Sequence, residues 1–275
     1  IPASDRGPDR IWYGSAAASE FHDMDWLQRH IGADEDVQIT SLTNDQTILV
    51  LAGPKARAVM QTVSRADWTA AGFPWLSVRE CFIGFAPATV MSVSFSGELA
   101  YEIHVPNASL YAAYLALRDA GQAHGLRLFG AHAVESMRLE KGYLHWKADI
   151  LTEFDPFETG LSRFVDMAKP DFVGKNALEQ RVADGPSKRL VTLHLSDDGA
   201  PAHGGASLMR DGAVVGTVTS GGFGHRVQKN LAYAFVDADL AQVGATFDID
   251  QLGQMVPAVI VDSAQYDPQM AHVRG

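Results

Sequence analysis

Apolar positions along the chain change period several times. In AAASEFHDMDWLQRHIG they recur three to four residues apart, so Phe21, Met24, Leu27 or Gln28, and Ile31 share one helical face, and Gly32 ends the run. VQITSL and QTILVLAGP alternate instead, which predicts a hairpin from Val37 to Pro54 turning at Asn44 and Asp45. Pro54 suits the first position of a helix that KARAVMQTV continues. From Glu80 to Gly97, ECFIGFAPATVMSVSFSG predicts two strands broken at Pro87, and YEIHVP is a third beyond the Gly97 turn. ASLYAAYLALRDAG is an amphipathic helix with Leu110, Tyr114 and Leu117 inward and Gly121 closing it. AHAVESMRLEKG is a further helix.

The texture shifts after FVGKNALEQRVADGP, a short capped helix. From Lys188 onward RLVTLHL, ASLMR, AVVGTVTSG, LAYAFV, ATFDI and VPAVIVD follow at close spacing, punctuated by glycines. Strands spaced this way predict a small antiparallel barrel or sandwich. The fold class is therefore α+β, with residues 1–183 as α+β lobes and residues 186–275 as an all-β domain. The break falls at Asp184, Gly185 and Pro186. No internal repeat interrupts this plan.

Composition narrows the function classes. The chain has 275 residues, 47% of them hydrophobic, enough for more than one core. Its net charge of −11 comes without a basic block, which argues against a nucleic-acid partner. No apolar run approaches the ~20 residues of a membrane span. Cys81 is the single cysteine, so an internal disulfide is excluded and a reducing, cytoplasmic setting is expected. The ten histidines are scattered without ligand spacing, so no metal site is expected. SGGFGHR lies between strands rather than opening a helix, and reads as a hairpin loop more readily than as a phosphate cradle. GxSxG and Walker motifs are absent. The chain opens on Ile1 and a polar IPASDRGPDR, which is expected of a piece of a longer polypeptide or a processed start.

Chemistry concentrates in two places. On YEIHVP, Tyr101, Ile103 and Val105 share one face while Glu102 and His104 share the other. Glu102 is either a solvated strand carboxylate or a rigid acceptor for two N–H groups of a flat heterocycle. On the helix before Gly142, Arg138 sits near the inward positions Val134 and Met137. A structural ion pair is the plainer reading of it, and a ligand-binding guanidinium the sharper one. Beyond it, SMRLEKGYLHWKADILTEFDPFETGL mixes charges with Tyr143, Trp146, Phe154 and Phe157 without a period.

SGELAYEIHVP, SMRLEKGYLHWKADI, FDPFETGLSRFV, FVGKNAL and GTVTSGGFGHRVQKNLAYAFV occur in one order, and together they resemble the folate-binding family of the glycine-cleavage T-protein, or aminomethyltransferase. GYLHWKADI and RVQKNLAYAFV are most similar to the T-protein-like part of dimethylglycine and sarcosine dehydrogenases. The resemblance implies a multi-lobed fold with a C-terminal antiparallel β-barrel and a funnel for tetrahydrofolate. By motif match it implies cofactor contacts at Glu102, which would take the pteridine edge, and at Arg138, Phe95, Phe223 and Tyr101. Phe95 stands where many members carry Tyr, so a hydroxyl is lost there. The irregular segment is expected to skirt the funnel, with Asp149, Asp155 and Glu158 as caps or pairs. The activity implied is transfer of a one-carbon unit from an oxidised methylamine to tetrahydrofolate, giving 5,10-methylenetetrahydrofolate. The acid/base aspartate of the family is expected upstream of Ile1; Asp5 and Asp9 do not match its motif, so no catalytic residue is assigned. Any FAD is expected on an upstream domain or a flavoprotein partner. A sulfonium or aryl-ether demethylase, or a non-catalytic folate-fold module, are the competing expectations.

Overall fold

The computed structural model describes residues 11–196 and 199–275, so Asp5 and Asp9 lie outside the described residues. The chain forms two compact units, residues 1–128 with 270–275, and residues 129–269.

The first unit is built on a four-stranded antiparallel sheet, β1 (Gln46–Ala52), β2 (Val78–Ile83), β3 (Ala86–Met91) and β4 (Ala100–Pro106), in the order β1-β4-β3-β2. Helices α2 (Ala56–Val63) and α3 (Leu110–Gln122) contribute Val59, Met60, Ala113 and Leu117 to a core shared with Leu51, Val90, Tyr101, Ile103 and Val105. Each fully buried aliphatic side chain of this kind contributes about 1.5–3 kcal/mol.

Local pattern and tertiary outcome part company at three points. The predicted hairpin does not form: residues 37–42 are not a strand, and β1 pairs with β4, Gln46 opposite Pro106. The break between β2 and β3 lies at Gly84 and Phe85, while Pro87 sits inside β3 opposite Phe82. Helix α1 (Glu20–Arg29) forms as its periodicity predicts, yet it buries none of its residues and leaves Phe21 88% exposed.

The second unit holds α4 (Ala131–Lys141), α5 (Lys175–Asp184) and six strands: β5 (Lys188–Leu195), β6 (Ser207–Arg210), β7 (Ala213–Gly224), β8 (Lys229–Asp237), β9 (Thr246–Gln251) and β10 (Gln254–Val261). These close into a barrel in the order β10-β5-β8-β7-β6-β9. Gly142, at φ 77°, ends α4 in the left-handed conformation that favours glycine. The inward side chains of β8 are Ala232, Ala234 and Val236, small enough for a narrow barrel interior. Its outward residues Leu231, Tyr233 and Phe235 are also buried, so β8 reads as a continuous apolar run. A four-residue helix, α6 (Ala271–Arg274), ends the chain within the first unit. Among the described residues, no helix is long and apolar enough to cross a membrane.

Candidate functional site

On the first unit, alternation along β4 puts Glu102 and His104 on the sheet face opposite the core. Two cross-strand rows define that face. One runs Val50, Glu102, Met91 and Val78, and the next runs Ile48, His104, Thr89 and Glu80. Ile48 and Val50 are exposed. The Glu102 side chain is 36% exposed, and its nearest polar partner is His104 Nε2, 3.6 Å from Oε2. Among the described residues its carboxylate accepts no hydrogen bond, although it sits on an interior strand whose backbone is held on both sides. Phe95, in the loop joining β3 to β4, is 38% exposed at the same end of that hairpin. Tyr101 belongs to the core rather than to this face. It is fully buried against Trp68 and Phe73, its hydroxyl has no hydrogen-bond partner among the described residues, and burial pushes its pKa up. Period-two alternation dictates that outcome, since neighbours on a strand point to opposite faces.

On the second unit, Arg138 is 2% exposed and lies at the centre of a closed polar network. Its Nε donates to Glu135 Oε2 at 2.7 Å, and Nη1 donates to Asp149 Oδ2 at 2.8 Å and to the Tyr143 carbonyl at 3.1 Å. Its Nη2 donates to Ser220 Oγ at 3.0 Å and also lies 2.7 Å from Glu135 Oε2. Every guanidinium nitrogen thus donates to a protein oxygen, with four hydrogen bonds in all. The plainer of the two readings of Arg138 describes its geometry. Asp149, fully buried, also accepts from the His145 amide at 2.8 Å and from the hydroxyls of Thr219 and Ser220. Two adjacent strand residues reach one carboxylate because a bulge between Val218 and Ser220 interrupts the β7–β8 register.

The neighbouring charges of the RLEK run are pinned as well. Glu140 accepts from the amide of Val227 at 3.1 Å and from both the amide and the guanidinium of Arg226, which stacks 3.8 Å over Tyr266. Lys141 Nζ pairs with Asp267 Oδ2 at 2.9 Å. SGGFG is strand, not loop. Its glycines admit close packing, since a Cβ on Gly221 would stand 2.0 Å from the Ala202 carbonyl oxygen and one on Gly222 2.8 Å from Leu139. Phe223 lies on the β7 face opposite Ser220 and meets the His225 ring edge-on at 5.1 Å. The structure therefore does not bring Phe223 and Arg138 together.

The irregular segment is ordered by its own carboxylates. Asp155 Oδ1 accepts from the amides of Phe157 at 2.7 Å and Glu158 at 3.0 Å, a side-chain-to-backbone turn. Phe154 stacks on Phe235 at 3.6 Å and lines a cavity of 460 Å³ with Lys147, Leu151, Gly216 and Thr217; none of the predicted contacts reaches it. Burial acts to raise the Glu158 pKa, but hydrogen bonds from the Ser187 hydroxyl and the Lys188, Asp155 and Ser187 amides outweigh it and hold the group below the usual glutamate range. A depressed folded-state pKa means stability that is fully present above the unfolded value and lost as pH falls through the folded one. Glu158→Gln is therefore expected to lower stability near neutral pH and to flatten the acid limb. Urea midpoints measured from neutral pH down through the carboxylate range check this, and an unchanged acid slope refutes it.

Residues 3–169 match the family described as the GCVT N-terminal domain, and residues 188–267 match the glycine cleavage T-protein C-terminal barrel domain. The chain belongs to the glycine cleavage T-protein family. A solved T-protein relative, the glycine cleavage system aminomethyltransferase T from Bartonella henselae, superposes with TM-score 0.81 at 23% identity, over 92% of this chain and 67% of that one. The mitochondrial dimethylglycine dehydrogenase of Homo sapiens is 35% identical over 95% of this T-protein chain, which spans 30% of that relative's length. The aminomethyltransferase of Bacillus subtilis is 28% identical over 95% of this chain and 71% of its own. Within this T-protein, sequence reasoning overlooked the second partner of the RLEK arginine, Ser220, and the clamp made by Glu140. The available signal was three charges within the last four residues of a helix, beside the apolar Leu139; the structure buries all four, Arg138, Leu139, Glu140 and Lys141.

Proposed function

We propose that this chain is a tetrahydrofolate-dependent one-carbon transferase that takes its carbon from an oxidised methylamine such as dimethylglycine or sarcosine. The product in this reading is 5,10-methylenetetrahydrofolate, and the oxidation itself belongs to an FAD-bearing domain or partner. The observation that carries it is Glu102. It is a partly exposed carboxylate with no hydrogen bond of its own among the described residues, held on an interior strand of a T-protein fold. Similarity to dimethylglycine dehydrogenase supports the choice of donor.

A reduced pteridine presents adjacent N–H donors in one plane, and a carboxylate accepts two such bonds with defined orientation. The residues fit that edge: Glu102 supplies two acceptors and Phe95 an exposed ring. Tetrahydrofolate supplies the nucleophilic nitrogen that receives the one-carbon unit. The chain's part is to bind and orient, which by itself supplies several kcal/mol of the barrier reduction, about 7–11 kcal/mol in well-oriented systems. Excluding water protects the electrophilic carbon from hydrolysis.

Isothermal titration of the 275-residue chain with 5-formyltetrahydrofolate, a stable reduced folate, tests the reading. Saturable heat at one equivalent is expected, and its absence ends the proposal. With a sulfonium or aryl ether as donor, whose carbon is already at the methyl level, formation of 5-methyltetrahydrofolate would move the assignment to the demethylase class.

A further inference from the structure

We infer that His104 is a positioning residue for Glu102, a buried donor held in reserve for the ligand-bound carboxylate. The inference rests on the folate reading of Glu102 and adds a second group to that site. His104 is buried, its Nε2 has no hydrogen-bond partner among the described residues, and that atom stands 3.6 Å from Glu102 Oε2. Trp12 packs edge-on against the ring at 5.4 Å and 84°. Ile48 and Thr89 flank it in the cross-strand row, so Glu102 is the one carboxylate next to it along β4.

A buried imidazole nitrogen without a partner is a cost that native structures rarely carry without a use. Its distance from Oε2 exceeds a hydrogen bond by a few tenths of an ångström, a gap that rotation of the glutamate carboxyl closes. A ligand donating to both carboxylate oxygens sets that rotation. Each oxygen keeps a second lone pair, and the one on Oε2 then accepts the Nε2–H of His104. The imidazole thus rewards one carboxylate orientation, the one that faces the ligand. The free protein carries the unsatisfied nitrogen, and the complex satisfies it.

This arrangement sets stability and affinity against each other, which a purely structural histidine would not do. His104→Leu removes the unsatisfied nitrogen while keeping an apolar side chain under Trp12. It is expected to leave the Tm unchanged or raise it, while weakening 5-formyltetrahydrofolate binding by on the order of 10-fold, the value of one hydrogen bond to a charged group. His104→Gln, which still offers an N–H, is expected to bind within about 3-fold of the parent. Wild-type affinity in His104→Leu overturns the inference, as does a parallel loss of Tm and affinity in both variants. If His104→Leu fails to fold, the imidazole 15N resonances of the unmodified chain decide: Nε2 must shift on adding 5-formyltetrahydrofolate, and an unmoved resonance overturns the inference. Glu102→Gln separates the two levels. If it binds like the parent, the folate reading of Glu102 falls; if it weakens and His104→Leu does not, only the role of His104 falls.

Discussion

Asp149→Ala is expected to destabilise the second unit by about 3–5 kcal/mol, the cost of leaving one member of a buried ion pair without the other. Asp149 is fully buried and receives four donors: the Arg138 guanidinium, the His145 amide and the hydroxyls of Thr219 and Ser220. Removing it leaves a guanidinium that is itself 2% exposed with only the half-exposed Glu135 carboxylate beside it, and leaves two hydroxyls and an amide without their acceptor. With a urea m-value of about 1–3 kcal/mol/M, the midpoint falls by roughly 1–5 M. Asp149→Asn keeps the shape but turns an amide NH2 toward donors, so most of the loss remains. Replacing both partners, Arg138→Met with Asp149→Leu, is expected to recover much of it, because the large term is the unpaired charge rather than the pair's net gain. A midpoint for Asp149→Ala within 0.3 M of the parent (about half a kcal/mol) would show that water reaches this network.

Glu102→Gln is expected to weaken 5-formyltetrahydrofolate binding by roughly 100-fold, about 2.7 kcal/mol, with the Tm essentially unchanged. The two halves of that statement have separate causes. Affinity falls because one acceptor oxygen becomes a donor and the charge assisting both bonds is lost. Stability holds because the carboxylate accepts no hydrogen bond within the described protein and its side chain is 36% exposed. Glu102→Ala should match it in affinity. Tryptophan fluorescence titration and thermal unfolding on the same samples read both quantities, and undiminished affinity removes Glu102 from the site.

Much of the architecture was legible because its signal is local. Alternation in YEIHVP separated Glu102 and His104 from Tyr101, Ile103 and Val105, and the strands observe that division. The closely spaced, glycine-punctuated strands after Lys188 announced a small antiparallel barrel or sandwich, and they close into a barrel. Asp155 and Glu158, read as caps or pairs, hold local backbone: Asp155 accepts the Phe157 amide and lies 3.9 Å from Arg181, and Glu158 accepts the Ser187 hydroxyl. The hairpin expected at Asn44 and Asp45 was wrong because a strand's partner is set by long-range burial, not by the nearest turn residues. SGGFG was mistaken for a loop because glycine marks both flexible turns and strands that need close backbone approach.

By itself the sequence determined the face on which each strand residue stands, the fold class and the family, since periodicity and ordered motifs are properties of neighbours along the chain. Only the tertiary structure decided that Arg138 is fully engaged and Glu102 is not. Arg138 is satisfied by Ser220, 82 residues away, through a bulge that no local pattern announces. Whether a charged side chain is available to a ligand depends on the donors and acceptors folding brings to it, and those come from distant parts of the chain.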